Sequence, residues 1–251
     1  MASGVRSLVL QVISCTLILG QTSEYDSIYS GKDGIPYPRD PNAFLVEMTN
    51  GRKPGRALDV GMGQGRNSIY LARQGWDVTG FDASGEGVRL ARAEAGRLHL
   101  RLSALVATFE QFNFGESRWD LVVLTYEPTR AIAPRVQRAL KPGGIVVVED
   151  RHMDTKRVWP EGGLLGVNEL PSLFPALRVI RYEDAWAVPD WQAMRLKERL
   201  VRLCAEKPQP ANPGCIWKGH AIPEGGSVCW DKSVKFRCEM DGWLFTREKC
   251  D

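Results

Sequence analysis

A chain of 251 residues, 43% apolar and 25% charged, has room for one α/β domain plus a small addition and is too apolar for a disordered protein. Its formal charge of +3 comes from 33 basic and 30 acidic residues mixed along the chain. No dense Lys/Arg run supplies a nucleic-acid footprint or a polybasic strip for an anionic membrane, so neither is expected as a partner.

The N-terminus reads as a leader. Arg6 precedes the apolar stretch Leu8 to Leu19, and Gly20, Gln21, Thr22 and Ser23 follow. That order is the pattern of a secretory signal peptide, assigned to residues 1–23. The run is shorter than the roughly 20 residues a bilayer span takes, so no integral span is expected in the mature chain. Export to a periplasmic or extracellular location follows, with a buried helix in a cytoplasmic protein as the alternative. Val12-Ile13-Ser14-Cys15 has the outline of a lipoprotein box, but the apolar run continues beyond Cys15.

From Arg56 to Glu149 short apolar runs alternate with helical patterns. Ala57 to Val60 reads as a strand ending in a glycine turn, and Arg66 to Gln74 as a helix stopped by Gly75. Trp76 to Phe81 is a second strand with Asp82 at its end, and Glu86 to Ala95 a helix closed by Gly96. Leu98 to Ala107 and Asp120 to Thr125 are further strands. A helix from about Ala131 to Leu140, the turn Lys141 to Gly144 and the β-branched strand Ile145 to Val148 complete the run. Such alternation implies right-handed βαβ units and a parallel sheet. After Asp150 the pattern changes to a short helix, Asn168 to Phe174, and two long strands, Leu177 to Val188 and Arg195 to Lys207. Their brief connection predicts an antiparallel hairpin at the sheet's end.

Asp59-Val60-Gly61-Met62-Gly63-Gln64-Gly65 carries the spacing D-x-G-x-G-x-G between a strand and a helix, the setting of a nucleotide loop. Glycines let the backbone turn sharply and approach a ligand without a Cβ clash. Asp82 stands 21 residues beyond Gly61, where a carboxylate accepts both hydroxyls of a ribose. A dinucleotide fingerprint needs a small residue at position 66; this chain has Arg66. Loop, acid and antiparallel hairpin together favour S-adenosylmethionine over NAD and leave a dehydrogenase-like oxidoreductase as the weakest reading.

The run Leu58 to Ser68, with Leu71, Ala72 and Gly75, resembles the first motif of class I S-adenosylmethionine-dependent methyltransferases, closest to their tellurite-resistance-like small-molecule branch. Trp119 to Val123 resembles the family's fourth strand, and Leu140-Lys141-Pro142-Gly143-Gly144 the turn before the fifth. The likeness covers about Tyr25 to Pro208. It implies a Rossmann-like α/β fold with a seven-stranded, mostly parallel sheet and an antiparallel terminal hairpin. It further implies a cofactor site in which Asp59, Gly61, Gly63 and Gly65 form the loop around the methionine part. Asp82 would hold the ribose, and Ala83 would lie near the adenine. Where the family often has an acid after the third strand, this chain has Thr108, followed by Phe109. Thr108 is expected either to accept from the adenine amino group or to be plain strand filler, and Phe109 to wall the ring.

Ligands in such sheets sit at the C-terminal strand ends, which selects Tyr126 and Glu127 and then Glu149, Asp150, Arg151 and His152. Tyr126 is expected to cover the cofactor and border the chemistry. His152 is the first choice for a general base, against a structural loop histidine. Cys204 reads as a core residue. No metal is expected in the site.

The linker 208–214 divides the methyltransferase-like domain, 24–207, from a cysteine-rich β module, 215–251. Cys215, Cys229, Cys238 and Cys250 are expected to form two disulfides, leaving Cys204 as the free thiol of the mature chain. A zinc site is the competitor, but no two of these cysteines lie close enough for its usual pairs. Trp217, Trp230 and Trp243 either fill the module's small core or form a ligand-facing patch. The leading expectation is methyl transfer to a small-molecule acceptor. Because an exported chain meets little S-adenosylmethionine, the alternative is an exported binding protein that keeps the fold without turnover.

Overall fold

The computed structural model describes residues 25–31, 38–155, 164–191, 195–209, 215–231, 234–239 and 242–246. The expected leader, most of the linker and Cys250 lie outside them. The chain divides into two compact units, up to Lys207 and from Pro208 onward.

The first unit is built on a seven-stranded sheet in the order β3-β2-β1-β4-β5-β7-β6. Its strands are β1 (Arg56–Val60), β2 (Asp77–Asp82), β3 (Leu102–Val106), β4 (Trp119–Thr125), β5 (Leu140–Arg151), β6 (Arg178–Ala187) and β7 (Glu198–Glu206). The pairs from β3 through β5 are parallel, while β7 runs antiparallel to both β5 and β6. This is a Rossmann-like, mostly parallel α/β sheet with the expected terminal hairpin.

Alternation along each strand decides the two buried faces. Leu58, Val60, Val122, Leu124, Val146 and Val148 pack on one side with Ile132 and Val136 of α5 (Thr129–Ala139). Ala57, Leu121, Val123, Ile145, Val147 and Cys204 pack on the other with Phe44 and Leu45 of α2 (Ala43–Thr49) and Leu71 of α3 (Arg66–Arg73). Cys204 is a buried free thiol with its pKa pushed up to about 11 by burial, so the core reading holds. A short helical turn, α1, spans residues 25–29.

The helix α4 (Gly85–Arg97) runs through Gly96, which was expected to close it. The chain turns at His99, in the left-handed region at φ +55°, with the His99 N–H donating to the Gly96 carbonyl. Residues 98–101 are therefore a helix exit, and β3 starts at Leu102. Likewise Lys141 to Gly144 continues β5, because the Gly143 N–H donates to the Lys207 carbonyl and the Lys207 N–H to that of Gly144. The short helix α6 (Glu169–Ser172) lies within the expected segment.

The second unit holds a two-stranded ribbon, β8 (Cys215–Trp217) with β9 (His220–Ile222), and a three-stranded antiparallel sheet. The latter comprises β10 (Ser227–Asp231), β11 (Val234–Glu239) and β12 (Gly242–Thr246). Cys215 and Cys238 form a disulfide, and Cys229 is also disulfide-bonded. Trp217 meets Trp230 and Trp243 edge to face, with ring centroids 5.4 and 5.8 Å apart. Trp230 is nevertheless 68% exposed, so it does not fill a core as the simpler expectation had it.

Candidate cofactor and acceptor site

Strand β1 ends in the turn Gly61–Gly65, at the place where the strand order reverses between β1 and β4. Open parallel sheets bind ligands at such a reversal, beyond the C-terminal strand ends. Gly61 and Gly63 have φ of +62° and +52°, a conformation that disfavours any other residue. Gly65, at φ +85°, has a packing role as well: a Cβ there would stand 2.8 Å from that of Ala91, so glycine lets α3 close on α4.

Asp82 at the end of β2 clasps this turn. One carboxylate oxygen accepts the Gly63 N–H at 2.8 Å and the other the Ser84 N–H at 2.7 Å. Burial raises its pKa, opposed by those two bonds and assisted by the negative charge of Asp26. Asp59 accepts the Ser68 hydroxyl at 2.6 Å through one oxygen, while its other oxygen is buried without a partner. Burial pushes its pKa up to about 6, against the Ser68 bond and the Arg66 charge.

Glu127 follows β4 and turns its carboxylate into the glycine cradle. A Cβ on Gly61 would lie 1.7 Å from the Glu127 Oε1, so the acid rests directly on the glycine backbone. Among the described residues this carboxylate has no hydrogen-bond partner. Burial, then the charges of Asp82, Asp150 and Asp59, pushes its pKa well above the usual carboxylate range. Asp150 accepts the Arg151 N–H at 2.8 Å and the Thr129 hydroxyl at 3.3 Å. Burial lifts its pKa to about 7.

Tyr126 precedes Glu127 in the left-handed region at φ +64°, the kind of backbone strain that clusters at functional sites. Its hydroxyl donates to Glu149, which also accepts from Asn42 at 2.9 Å and pairs with Arg202. Burial and the Glu149 charge raise the Tyr126 pKa well above 10. The Arg151 guanidinium lies 4.9 Å from the Tyr126 ring centroid and 4.7 Å from that of Trp191. Arg66 pairs with Asp190 at 2.9 Å, and Asn42 donates to the same carboxylate at 2.8 Å. These bonds fix the segment that carries Trp191.

The structure also brings α1 onto the loop, which no motif announced. Asp26 accepts the Ser84 hydroxyl and the Glu86 N–H, the latter at 3.1 Å. The Tyr29 hydroxyl lies where a Cβ on Gly63 would fall, 2.3 Å from it. Ala83, half-buried, follows Asp82 at the loop's flank. Thr108 donates its N–H to the Gln111 side chain at 3.1 Å in the turn after β3, and Phe109 packs against the larger core cluster.

His152 belongs to a different neighbourhood. It is fully buried, its N–H donates to the Arg199 carbonyl at 2.8 Å, and its Nδ1 accepts the Asp154 N–H at 3.1 Å. Among the described residues no group of three or more His, Cys, Asp or Glu is arranged to hold a metal ion, and no helix is long and apolar enough to cross a membrane.

Residues 57–144 match the methyltransferase domain family. That segment is a methyltransferase domain. S-adenosylmethionine is the cofactor such a domain takes, and the cradle suits it. No Cβ crowds the turn at Gly61 and Gly63, where the ends of the Glu127 and Tyr29 side chains lie, and the buried acids, one with an orphan oxygen, suit a ligand with a cationic end. The ubiquinone biosynthesis O-methyltransferase of Alkalilimnicola ehrlichii is 30% identical over 65% of this chain and 64% of its own length. A probable S-adenosyl-L-methionine-dependent methyltransferase, TehB of Haemophilus influenzae, is 33% identical over 65% of this chain and 61% of its own. In fold, a SAM-dependent methyltransferase from Methanosarcina mazei superposes with a TM-score of 0.56 at 19% identity, over 67% of this chain and all of that one. The chain spans less than two thirds of the length of these curated relatives.

Proposed function

We propose that the protein transfers a methyl group from S-adenosylmethionine to a small-molecule acceptor. The observation that carries this reading is the glycine turn at the strand-order reversal, clasped by Asp82 through the Gly63 N–H. When bound, S-adenosylmethionine supplies a methyl carbon already activated by its sulfonium. The chain's part is then alignment and exclusion of water. Gly61 and Gly63 would admit the methionine part, Asp82 would turn to the ribose hydroxyls, and Ala83 with Thr108 and Phe109 would flank the adenine. Tyr126, fixed by Glu149, would border the acceptor.

Among the acids at the strand ends, Asp150 combines a place on β5 with a pKa near 7, which suits it to take a proton from the acceptor. His152 suits that role less. With Nδ1 accepting from Asp154, a neutral ring carries its proton on Nε2 and is a donor there. The Cys215–Cys238 bridge supports the expectation of export, since such bonds persist in oxidising compartments.

The test is incubation with methyl-tritiated S-adenosylmethionine and a panel of thiols, amines and catechols. Label in one acceptor class, with S-adenosylhomocysteine formed in equal amount, is expected. Cofactor binding without transfer to any class would favour the binding-protein alternative.

A further inference from the structure

The Glu127 carboxyl is the one acid of the cradle that lacks both a hydrogen-bond donor and a countercharge among the described residues. Asp82 holds two backbone N–H groups, Asp59 the Ser68 hydroxyl, and Asp150 the Arg151 N–H and Thr129. The groups facing Glu127 are acids from three strands: Asp59 on β1, Asp82 on β2 and Asp150 on β5. The nearby cations are directed elsewhere: Arg66 lies toward Asp59 and pairs with Asp190, while Arg151 and Arg130 act on Asp150. An ionised Glu127 would stand beside three other acids with no cation directed at it. The neighbouring Asp59, 1% exposed, likewise has an oxygen, Oδ1, that is buried without a partner. The Glu127 carboxyl also lies on Gly61, in the cradle assigned to the methionine part.

We propose that Glu127 is the proton-exchanging counter-ion of the cofactor's cationic end, a neutral acid over Gly61 when the cradle is empty and a carboxylate when the cradle is filled. The idea rests on the cofactor reading above. The step balances simply: the carboxylic O–H bond breaks, the proton leaves to solvent, and the carboxylate faces the ligand's ammonium and sulfonium. Binding therefore releases up to about one proton over the pH range in which the empty site keeps Glu127 protonated, and affinity rises there by up to about tenfold per pH unit. Glu127 thereby favours the sulfonium-bearing cofactor over its product, which keeps the ammonium but has a neutral thioether sulfur, relative to a protein with an amide there.

Calorimetry of the full chain in two buffers of different ionisation enthalpy counts that proton. Titrated from pH 5 to pH 8, the wild-type protein should release protons on binding S-adenosylmethionine. Glu127→Gln should release markedly fewer, bind with a flatter pH profile, and lose about fivefold or more in the affinity ratio of S-adenosylmethionine to S-adenosylhomocysteine. Asp150→Asn and Asp59→Asn should each lower the release by less than Glu127→Gln does. A thermal melt of each variant guards against misfolding. Undiminished release from Glu127→Gln would overturn the proposal while leaving cofactor binding intact. Absence of any binding heat from the wild-type chain would instead overturn the cofactor reading, and the proposal with it.

Discussion

The Asp82 carboxylate and the Gly63 N–H, 2.8 Å apart, join the end of β2 to the turn after β1. That bond fixes the turn's backbone and directs a carboxylate to the flank of the cradle. Asp82→Ala removes both the clasp and the expected ribose acceptor. S-adenosylmethionine binding should weaken by about 1.5–3 kcal/mol, the scale for hydrogen bonds to charged groups. A calorimetric titration checks it, and an unchanged affinity would remove Asp82 from the site.

Gly63→Val combines two faults. Its φ of +52° is unsuited to a β-branched residue, and a Cβ would meet the Tyr29 hydroxyl at 2.3 Å. Binding of S-adenosylmethionine should be lost, while circular dichroism stays close to that of the wild type, because the packing glycine of the turn is Gly65 and not Gly63.

Asp150 gives a pH prediction with a definite sign. Its pKa in the fold, about 7, lies above the unfolded value of 3.8. Between those pH values the unfolded chain has lost a proton that the native chain keeps, so stability falls as pH rises through that window and levels off above it. Asp150→Asn removes the fall and should be the more stable protein at pH 8, by up to about 4 kcal/mol. Urea denaturation at pH 5 and pH 8 measures the difference. A wild-type protein that gains stability over this window relative to the variant would contradict it.

In the second unit, the Cys215–Cys238 bridge closes a loop with a sequence separation of 23. The chain-entropy model gives such a loop about 3 kcal/mol, a large share of what a sheet this small can hold. Reduction should therefore unfold the module, seen as a loss of tryptophan near-ultraviolet dichroism, while S-adenosylmethionine still binds. Non-reducing alkylation in denaturant should label Cys204, whose burial keeps it unreactive in the native chain. Labelling of Cys215 or Cys238 under those conditions would contradict the pairing.

The parts of the site that depend on local pattern were legible in the sequence. The Asp59–Gly65 spacing, the acid at Asp82 and the short link before β7 each carry a near-neighbour constraint, while the seven-stranded sheet came from the family resemblance. Contacts set by distant packing were not. Tyr29 lies 34 positions from Gly63 and carries no periodic signal, and Glu127 reads as an ordinary loop acid until β4 delivers it onto Gly61. His152 has the right strand end for a base, yet the 3₁₀ turn Met153–Thr155 folds over it and takes its Nδ1. His99 shows the same limit in the backbone: Gly96 looked like the helix stop, and the tertiary chain path moved it three residues on.

Whether the Gly61–Gly65 turn takes S-adenosylmethionine is decided by parallel calorimetric titrations of the full chain with S-adenosylmethionine and NAD. One site per chain for S-adenosylmethionine, weakened in Asp82→Ala, and no saturable heat with NAD are expected. Saturable binding of NAD, or S-adenosylmethionine binding unaffected by both Asp82→Ala and Gly63→Val, would contradict that expectation.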